Sequence, residues 1–522
     1  MKFLGIRNGH DCNVTYTDGI KVRYLKLERN LQIKHYLWDE DNHIDDMTGI
    51  LDEVKRILKI DFFDLDGICV NESDDRHDIQ DKLSTEQLVK PVNKSKNLLW
   101  DAFSCPVYVI DHHYAHMLSC WPLVDVSKVN THLVVDGEGN HTRTLSIFKN
   151  NELVKSNSYA DGPGFGKLLE ELGKIYGLGG SIIDLSGKVM ALKSFHDLPD
   201  EYIAKFIEDI KDINYDQQNV LVEKSRQSYN EYFAETSDDI KQITTNVAFM
   251  YHLFAEKKLP SYLQPYVDNN NNVITYSGGV AQNTVVNTKL KKQYPNMVIP
   301  PHCPDDGISL GCVEYLRQLF DQDPFDNSGF PYWQSDKAPI TPANDKTINK
   351  AAELVAQGKI IGWYQGYGEI GPRALGNRSI LMDPSVAEGK ALINKKVKNR
   401  ESFRPFGASV LAEHSSKYFD CDFESPYMLY VVDCLTKEFR SVVHVDNTCR
   451  IQTVNQEPQY ETYYKLIDKF YRLTGKPLVL NTSLNIDGKP IAAHPNDAKK
   501  LFKMCELDAM FVGDEYMIKG NK

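Results

Sequence analysis

Short runs of β-branched and apolar residues recur through the first 150 residues, separated by turn signals. Runs of this length, bounded in this way, predict strands. A long and mostly helical region follows from about Gly166 to Lys258, and then a strand, a glycine turn and a helix. Strands that alternate with helices predict an α/β fold, which we expect to be α+β in part. The strand-like runs are KFLGI, VRYLKL, DGICV, PVYVI and THLVVD.

A proline-rich stretch separates two parts of the chain. Residues 323–345 contain four prolines and no hydrophobic periodicity, which is typical of an interdomain linker. A chain of 522 residues also exceeds the length of one ordinary domain. We therefore predict a first domain over residues 1–325, a linker over 326–345 and a second α/β domain over 346–522.

Charge and composition limit the classes of partner. The net charge of −12 opposes a broad nucleic-acid surface, although KKVKNR and KLKKQY could make local phosphate contacts. No segment has the length of a membrane span, and the first residues do not resemble a secretory leader. The ten cysteines include no C-x-x-C pair, as expected for reduced thiols. We predict a cytoplasmic protein without a membrane partner.

Three of the 15 histidines lie within the sequence DHHYAH, directly after the run PVYVI. Asp111 is of a residue type that caps helices, so we predict that a helix begins here. On that helix His112 and His116 lie on one face, while His113 points elsewhere. Two imidazoles at this spacing can bind one divalent ion, although ordinary helix starts show the same pattern.

Two carboxylates extend this candidate metal site. Asp136 ends the run THLVVD, where burying a charge is costly unless a cation or hydrogen-bond donors receive it. Asp305 lies in CPDDGISLGC, a turn that opens a helix, and either carboxylate could also be a plain cap. Two histidines with two carboxylates form a nitrogen and oxygen set that suits iron, zinc or manganese.

A glycine turn adds a second kind of candidate site. Gly278 and Gly279 follow the strand-like run VITY and precede a predicted helix. Small residues there permit a phosphate or a ribose to approach the helix N-terminus closely, although such a turn is also common without a ligand.

Cations are concentrated among small and apolar residues in the second half of the chain. A guanidinium held beside glycine and proline suits anion recognition, although each cation alone could be surface charge. The run PLVLNTSLN leads into Asn481, Ser483 and Asn485, whose polar groups suit a phosphate, a carbonyl or a simple turn. The cations are Arg373, Arg378, Lys398, Arg400, Arg404 and Arg450.

Several longer motifs follow one another along the chain: GIRNGHD, the H-x-x-x-H, VVDGEG, SGKVMAL, YSGGVAQN, DDGISLG, GPRALGNRSI and FRPF. Their order resembles the O-carbamoyltransferase family, whose members carbamoylate antibiotics and nodulation factors. The resemblance covers nearly the whole chain, and it implies an actin/hexokinase-like (ASKHA) duplicated α/β domain followed by a YrdC-like α/β domain.

The resemblance also implies roles for single residues. His10 matches the proposed base on the acceptor hydroxyl. The metal ligands, which commonly hold iron, match His112, His116, Asp136 and Asp305. The residues that hold carbamoyl phosphate and ATP match Arg373, Lys398, Arg450 and Ser483, and we take Lys398 and Arg450 as catalytic. Contacts with the carbamoyl-adenylate in the first domain are expected from Gly137, Gly278, Gly279 and Asn283.

The activity implied is ATP-dependent O-carbamoyl transfer. Carbamoyl phosphate and ATP would give carbamoyl-adenylate and pyrophosphate in the second domain, with Mg²⁺ on the nucleotide. The carbamoyl group would then pass to an acceptor hydroxyl at Fe²⁺, or another divalent transition metal, in the first domain. The acceptor is a sugar or natural-product hydroxyl, or a hydroxymethylpyrimidine nucleotide or DNA; nucleic acid is not required. The oligomeric state is left open, a homodimer included.

Two other functions are compatible with parts of the sequence. One is an ASKHA-like phosphotransferase or metallohydrolase, which leaves the arginine-rich second half unexplained. The other is a non-catalytic nucleotide-binding regulatory protein. The chain also departs from the family, because Ser186 stands where glutamate is usual and RPFGAS replaces the usual RPFAPS. These departures concern the acceptor pocket more than the adenylating chemistry.

Overall fold

The computed structural model describes residues 1–37, 44–71, 88–91, 103–162, 164–233, 239–267, 272–335 and 340–520. Within these ranges, no helix combines the length and the apolar character that a membrane span requires. The described residues fall into two compact units. The first unit is drawn from residues 1–72, 89–110 and 305–522, and the second from residues 73–88 and 111–304.

Most strands are short and buried. They are β1 (Phe3–Arg7), β2 (Asn13–Thr17), β3 (Val22–Lys26), β4 (Gly67–Asn71), β5 (Val89–Pro91), β6 (Val107–Ile110), β7 (Thr131–Val135), β8 (Arg143–Lys149), β9 (Glu152–Ser158), β10 (Ile274–Ser277), β11 (Met297–Val298), β12 (Ile361–Tyr364), β13 (Arg378–Met382), β14 (Gly407–Leu411), β15 (Tyr430–Asp433), β16 (Thr448–Val454), β17 (Leu478–Ser483), β18 (Ala509–Val512) and β19 (Glu515–Ile518).

The α-helices range from one turn to almost seven. They are α1 (Leu27–Leu31), α2 (Ile44–Leu58), α3 (His112–Leu118), α4 (Gly164–Tyr176), α5 (Ile182–Leu192), α6 (Asp200–Asp209), α7 (Gln218–Phe233), α8 (Ile240–Leu263), α9 (Thr284–Gln293), α10 (Ile308–Leu319), α11 (Asp345–Ala356), α12 (Gly389–Ile393), α13 (Ser415–Tyr418), α14 (Glu461–Thr474) and α15 (Pro495–Met504).

The chain forms two sheets with the same internal order. In the first unit, β1, β2 and β3 pair antiparallel, and β4 and β6 continue from β1 in parallel. In the second unit, β7, β8 and β9 pair antiparallel, and β10 and β11 continue from β7 in parallel. The repeated order is the duplication that the family resemblance implies, and the predicted α/β class is confirmed.

The first unit also contains an eight-stranded mixed sheet in the order β15-β16-β14-β17-β13-β12-β18-β19. Its central strands are fully buried because apolar clusters cover both faces, one around Phe406 and Leu480 and the other around Trp363 and Phe470. Strand β17 pairs with β13 on one side and β14 on the other. The end of β17 is therefore a rigid position for the side chains of Asn481 and Ser483.

The first part of the predicted linker is packed within the first unit. Phe330, Tyr332 and Trp333 are buried. Gln334 forms bridges with Tyr24 of β3 and with Gly368 of the second half. The proline-rich composition did not indicate this burial, because three of its aromatic residues supply the core contacts. The domain boundaries near residues 325 and 346 stay a prediction.

Candidate metal and anion sites

Helix α3 carries the two histidines of the predicted metal site. The Asp111 carboxylate accepts a hydrogen bond from the backbone N–H of Tyr114 at 3.0 Å, and Arg143 pairs with it, so the predicted cap is present. The ring centroids of His112 and His116 are 4.7 Å apart. His113 points elsewhere, as predicted, and its Nδ1 lies 2.7 Å from Ser146 Oγ.

Asp136, directly after β7, receives both imidazoles on one oxygen. Its Oδ2 lies 2.9 Å from Nε2 of His112 and 3.6 Å from Nε2 of His116. The other oxygen accepts the backbone N–H of Gly279 at 2.6 Å. The three side chains are buried, and each offers a ligand atom within 4.8 Å of the others. Two imidazole nitrogens and a carboxylate oxygen at this spacing fit a divalent transition metal.

The turn at Gly278 and Gly279, which we predicted as an adenylate contact, leaves no room for a side chain at either position. Gly278 has φ +95°, and a Cβ there would lie 2.2 Å from the carbonyl oxygen of Val135. A Cβ on Gly279 would lie 2.7 Å from Asp136 Oδ1. Gly137 follows Asp136 in an uncrowded position. Asn283 caps α9 by accepting the N–H of Val286 at 3.2 Å. The four predicted adenylate contacts thus lie around Asp136 or at a helix N-terminus.

Asp305, predicted as the fourth metal ligand, begins the last segment of the first unit. Its Oδ2 lies 2.9 Å from an Arg7 nitrogen and 3.6 Å from Nε2 of His10. His10, the predicted base, therefore lies beside a buried carboxylate, with about half of its own side chain exposed. Burial opposes a charged imidazole, but the charge of Asp305 and a hydrogen bond with Asp11 raise the pKa of His10.

Lys398 occupies a buried position at the end of a single π-helical turn, Asn394–Lys398. Its ammonium donates to Ser483 Oγ at 3.1 Å, to Asn485 Oδ1 at 2.7 Å and to the Asn485 carbonyl at 2.9 Å. These acceptors are neutral. Burial, followed by the charges of Arg400 and Arg404, lowers the pKa of Lys398 well below its ordinary value.

Guanidinium groups lie near this lysine. Arg400 lies over the Phe406 ring at 4.5 Å, and Arg404 is 3.5 Å from Glu401 and 3.8 Å from Asp487. Burial and Arg404 lower the pKa of Arg400 to about 9. Burial and the charges of Arg373 and Arg400 lower the pKa of Arg450. Cations that disfavour one another's charge form a site that a polyanion would stabilise.

Two other predicted anion ligands make internal contacts. Arg378 is buried, lies 3.5 Å over the Tyr364 ring and donates to the Gly366 carbonyl at 3.0 Å. Asn481 is also buried and donates to Ser409 Oγ at 3.0 Å. Both side chains hold the loop and strand from which the cationic site is built. Their roles as nucleotide ligands stay predictions.

Two residues of this region did not stand out in the sequence. Glu369 is fully buried, and its Oε1 accepts the backbone N–H groups of Leu375, Asn377 and Arg378. Arg29 of α1 donates to the carbonyls of Glu369 and Gly371. The signal for Glu369 was a lone carboxylate inside the glycine-rich GYGEIGPRALGN. Arg29 gave no such signal, since its partners lie about 340 residues away in sequence.

Replacing Glu369 with alanine is expected to lower the free energy of unfolding by about 2–4 kcal/mol. Three backbone N–H groups would lose their acceptor in a dry site, and each unpaired group is costly. Urea denaturation followed by fluorescence measures the effect. The exposed Glu388→Ala serves as the control and should change stability by less than about 0.5 kcal/mol. Equal denaturation midpoints for the two variants would show that the hydrogen bonds accepted by Glu369 do not stabilise the fold.

Two family models match the two halves of the chain. The family model described as Carbamoyltransferase N-terminus matches residues 59–313, and the one described as Carbamoyltransferase C-terminus matches residues 352–519. The HypF structure from T. kodakarensis is 13% identical and covers 62% of this chain and 48% of that chain, with a TM-score of 0.36. That TM-score is low, and the family assignment does not depend on it.

Curated relatives match substantial parts of the chain. Nodulation protein NolO of Bradyrhizobium diazoefficiens is 29% identical over 77% of this chain and 78% of its own length. The 3'-hydroxymethylcephem-O-carbamoyltransferase of Streptomyces clavuligerus is 29% identical over 51% of each protein. Two further relatives are matched over only 39% and 47% of their length, so the chain spans less than half of those proteins. With both the N-terminal and the C-terminal model matched, the chain belongs to the carbamoyltransferase family.

Proposed function

We propose that the protein is an ATP-dependent O-carbamoyltransferase that uses carbamoyl phosphate as its donor. The observation that carries this proposal is the cationic site around Lys398 in a member of the carbamoyltransferase family. A phosphotransferase or metallohydrolase built on the first half alone has no use for that site. A regulatory protein without catalysis has no use for two imidazoles that converge on one buried carboxylate.

The first half-reaction belongs to the cationic site. Water cleaves carbamoyl phosphate to carbamate and inorganic phosphate, and a carbamate oxygen then attacks the α-phosphorus of ATP. Pyrophosphate leaves, and carbamoyl-adenylate remains. The cations of this site, Arg373, Lys398, Arg400, Arg404 and Arg450, neutralise the charge that develops on the phosphate oxygens. Mg²⁺ accompanies the nucleotide, because hard oxygen ligands of phosphate groups are its usual partners.

The second half-reaction is carbamoyl transfer. His10 accepts the proton of the acceptor hydroxyl while that oxygen attacks the carbamoyl carbon and AMP leaves. His112, His116 and Asp136 would hold a divalent transition metal, with Asp305 as the fourth ligand that the sequence predicts; iron is the metal that the family resemblance implies. When bound, such an ion supplies a Lewis acid for the carbamoyl carbonyl.

The acceptor is a hydroxyl group of a small molecule or nucleotide. A relative's printed name specifies a 3'-hydroxymethylcephem, and a hydroxymethylpyrimidine presents the same kind of primary hydroxyl. The net charge of −12 opposes polymeric DNA as the main acceptor.

Pyrophosphate release from ATP tests the proposal directly. We expect release that requires carbamoyl phosphate and needs no acceptor, because adenylation precedes transfer. Acetyl phosphate, in which a methyl group replaces the amino group of the donor, is the matched control and should support little release. Release of inorganic phosphate alone, at equal rates with and without carbamoyl phosphate, would instead indicate a hydrolase or a phosphotransferase.

Nucleotide binding should weaken as the pH rises. The pKa of Lys398 is lowered in the free protein, and a bound polyanion would raise it again. The cation is therefore fully present below the free-state pKa, and affinity is lost above it, by up to about tenfold per pH unit. Calorimetric titration with ATP from neutral pH up to the ordinary lysine pKa of about 10.4 measures this loss. A constant affinity with no proton uptake would contradict it.

A further inference from the structure

The carboxylate of Asp11 contacts two imidazoles and an ammonium group. Its Oδ2 lies 3.2 Å from Nδ1 of His10, while its Oδ1 lies 3.0 Å from Nδ1 of His35 and 3.4 Å from Lys26 Nζ. Asp11 itself is 8% exposed and has φ +57°, in the left-handed region that few residues other than glycine adopt. A non-glycine residue held in such a conformation is more common at functional sites than elsewhere.

Lys26 is the centre of a buried group of charges. Besides Asp11, its ammonium lies 3.0 Å from Glu28 and 2.5 Å from Asp306. Glu28 in turn accepts the backbone N–H of His35 at 2.9 Å. An opposite charge at this distance keeps the Asp11 carboxylate ionised, and the contacts on Oδ1 leave its Oδ2 directed at His10.

An ionised carboxylate can only accept a hydrogen bond, so the Nδ1 of a neutral His10 must carry the proton. The lone pair of this tautomer is then on Nε2. That nitrogen is 3.6 Å from Asp305 Oδ2, and about half of the His10 side chain is exposed. The Asp11 carboxylate, on the opposite side of the ring, thus leaves Nε2 as the nitrogen that can accept a proton.

We propose that Asp11 is a positioning residue that holds His10 in the Nδ1–H tautomer, so that Nε2 can accept the proton of the acceptor hydroxyl. The inference rests on the proposed function, in which His10 is the base. The hydroxyl oxygen forms its bond to the carbamoyl carbon, the bond from that carbon to the adenylate oxygen breaks, and the hydroxyl proton moves to Nε2. Neither Asp11 nor Lys26 contacts the reacting atoms in this assignment.

Replacing Asp11 with asparagine should reverse the tautomer. An asparagine has one oxygen and one NH₂ group, and the oxygen would stay with Lys26, which can only donate. The NH₂ group would then face His10, whose Nδ1 would have to accept, so the proton would move to Nε2. Nε2 would then carry the proton and could not act as a base, although the side chain keeps nearly the same shape. The same change in the catalytic triad of a serine protease also leaves the histidine in the wrong tautomer.

The test is ¹⁵N NMR of the histidine side chains in the protein with Zn²⁺ added, so that a bound ion is diamagnetic. His10→Gln assigns the His10 signals. In the unsubstituted protein we expect the neutral ring to be protonated at Nδ1, and in Asp11→Asn at Nε2. The exposed Asp18→Asn, on the neighbouring turn, should leave the His10 spectrum unchanged. An Nε2–H ring in the unsubstituted protein would overturn the inference without requiring any variant to fold.

The pyrophosphate assay separates this inference from the proposed function. Carbamoyl-phosphate-dependent release should be unchanged within about twofold in Asp11→Asn, because adenylation uses other residues. An Nε2–H ring together with intact release would remove the role of Asp11 alone. Absence of release from the unsubstituted protein would remove the proposed function, whatever the tautomer.

Discussion

Replacing Lys398 with methionine is expected to lower carbamoyl-phosphate-dependent pyrophosphate release by about 10²- to 10³-fold, the loss that follows removal of one preorganised donor from a developing anion. Methionine fills a similar volume but carries no charge. The lysine ammonium is buried among neutral acceptors, at Ser483 and Asn485. Burial and the charges of Arg400 and Arg404 lower the pKa of Lys398 in the free protein, and we expect a bound phosphate to favour the charged form.

Lys398→Met should test the chemistry without unfolding the protein. Removing a buried and disfavoured charge does not remove a stabilising ion pair, so we expect Lys398→Met to remain folded. Lys395 lies on the same π-helical turn but is exposed, and Lys395→Met provides the matched control with unchanged release. If the two variants release pyrophosphate equally fast, the cationic site is not where ATP reacts.

Replacing His116 with alanine is expected to remove most of the bound metal and, with it, carbamoyl transfer, while pyrophosphate release is retained. Loss of a residue that merely orients a ligand already costs 10- to 100-fold in metal affinity, so loss of a ligand should cost more than about 100-fold. Elemental analysis of the purified protein measures the metal. AMP formation and pyrophosphate release, followed together, separate transfer from adenylation.

His113 supplies the control for this experiment. It lies on the same helix and is also buried, but its Nδ1 is engaged with Ser146. His113→Gln should therefore retain the metal. Retention of the metal in both variants would exclude His116 as a ligand, and loss in both would indicate that the helix itself had been disturbed.

Local patterns predicted much of this molecule. The apolar and β-branched runs PVYVI and THLVVD predicted β6 and β7. The helix start at Asp111 and the direction of His113 followed from capping and from helical spacing. The run VRYLKL was predicted as one strand, but β3 ends at Lys26 and α1 begins at Leu27, so the predicted strand was one residue too long.

Contacts between distant segments were beyond prediction. A single sequence states neither that Arg29 reaches the carbonyls beside Arg373 nor that Lys26 meets Asp306. Such pairs depend on which strands become neighbours, and no periodicity records that choice. Sequence reasoning therefore misses buried charged residues such as these when no motif surrounds them.

The packed segment 326–335 has a consequence for exchanging parts between family members. Its backbone pairs with Lys21, just before β3, and with Tyr24 of β3. The backbone of Gln334 also pairs with that of Gly368. A chimaera cut at the apparent linker would therefore combine, from different parents, segments that contact one another in this structure. A recombinant that folds stably should inherit β3, α1 and the segment 326–335 from the same parent as residues 346–520. The segments that have to be exchanged together are therefore not contiguous in the sequence.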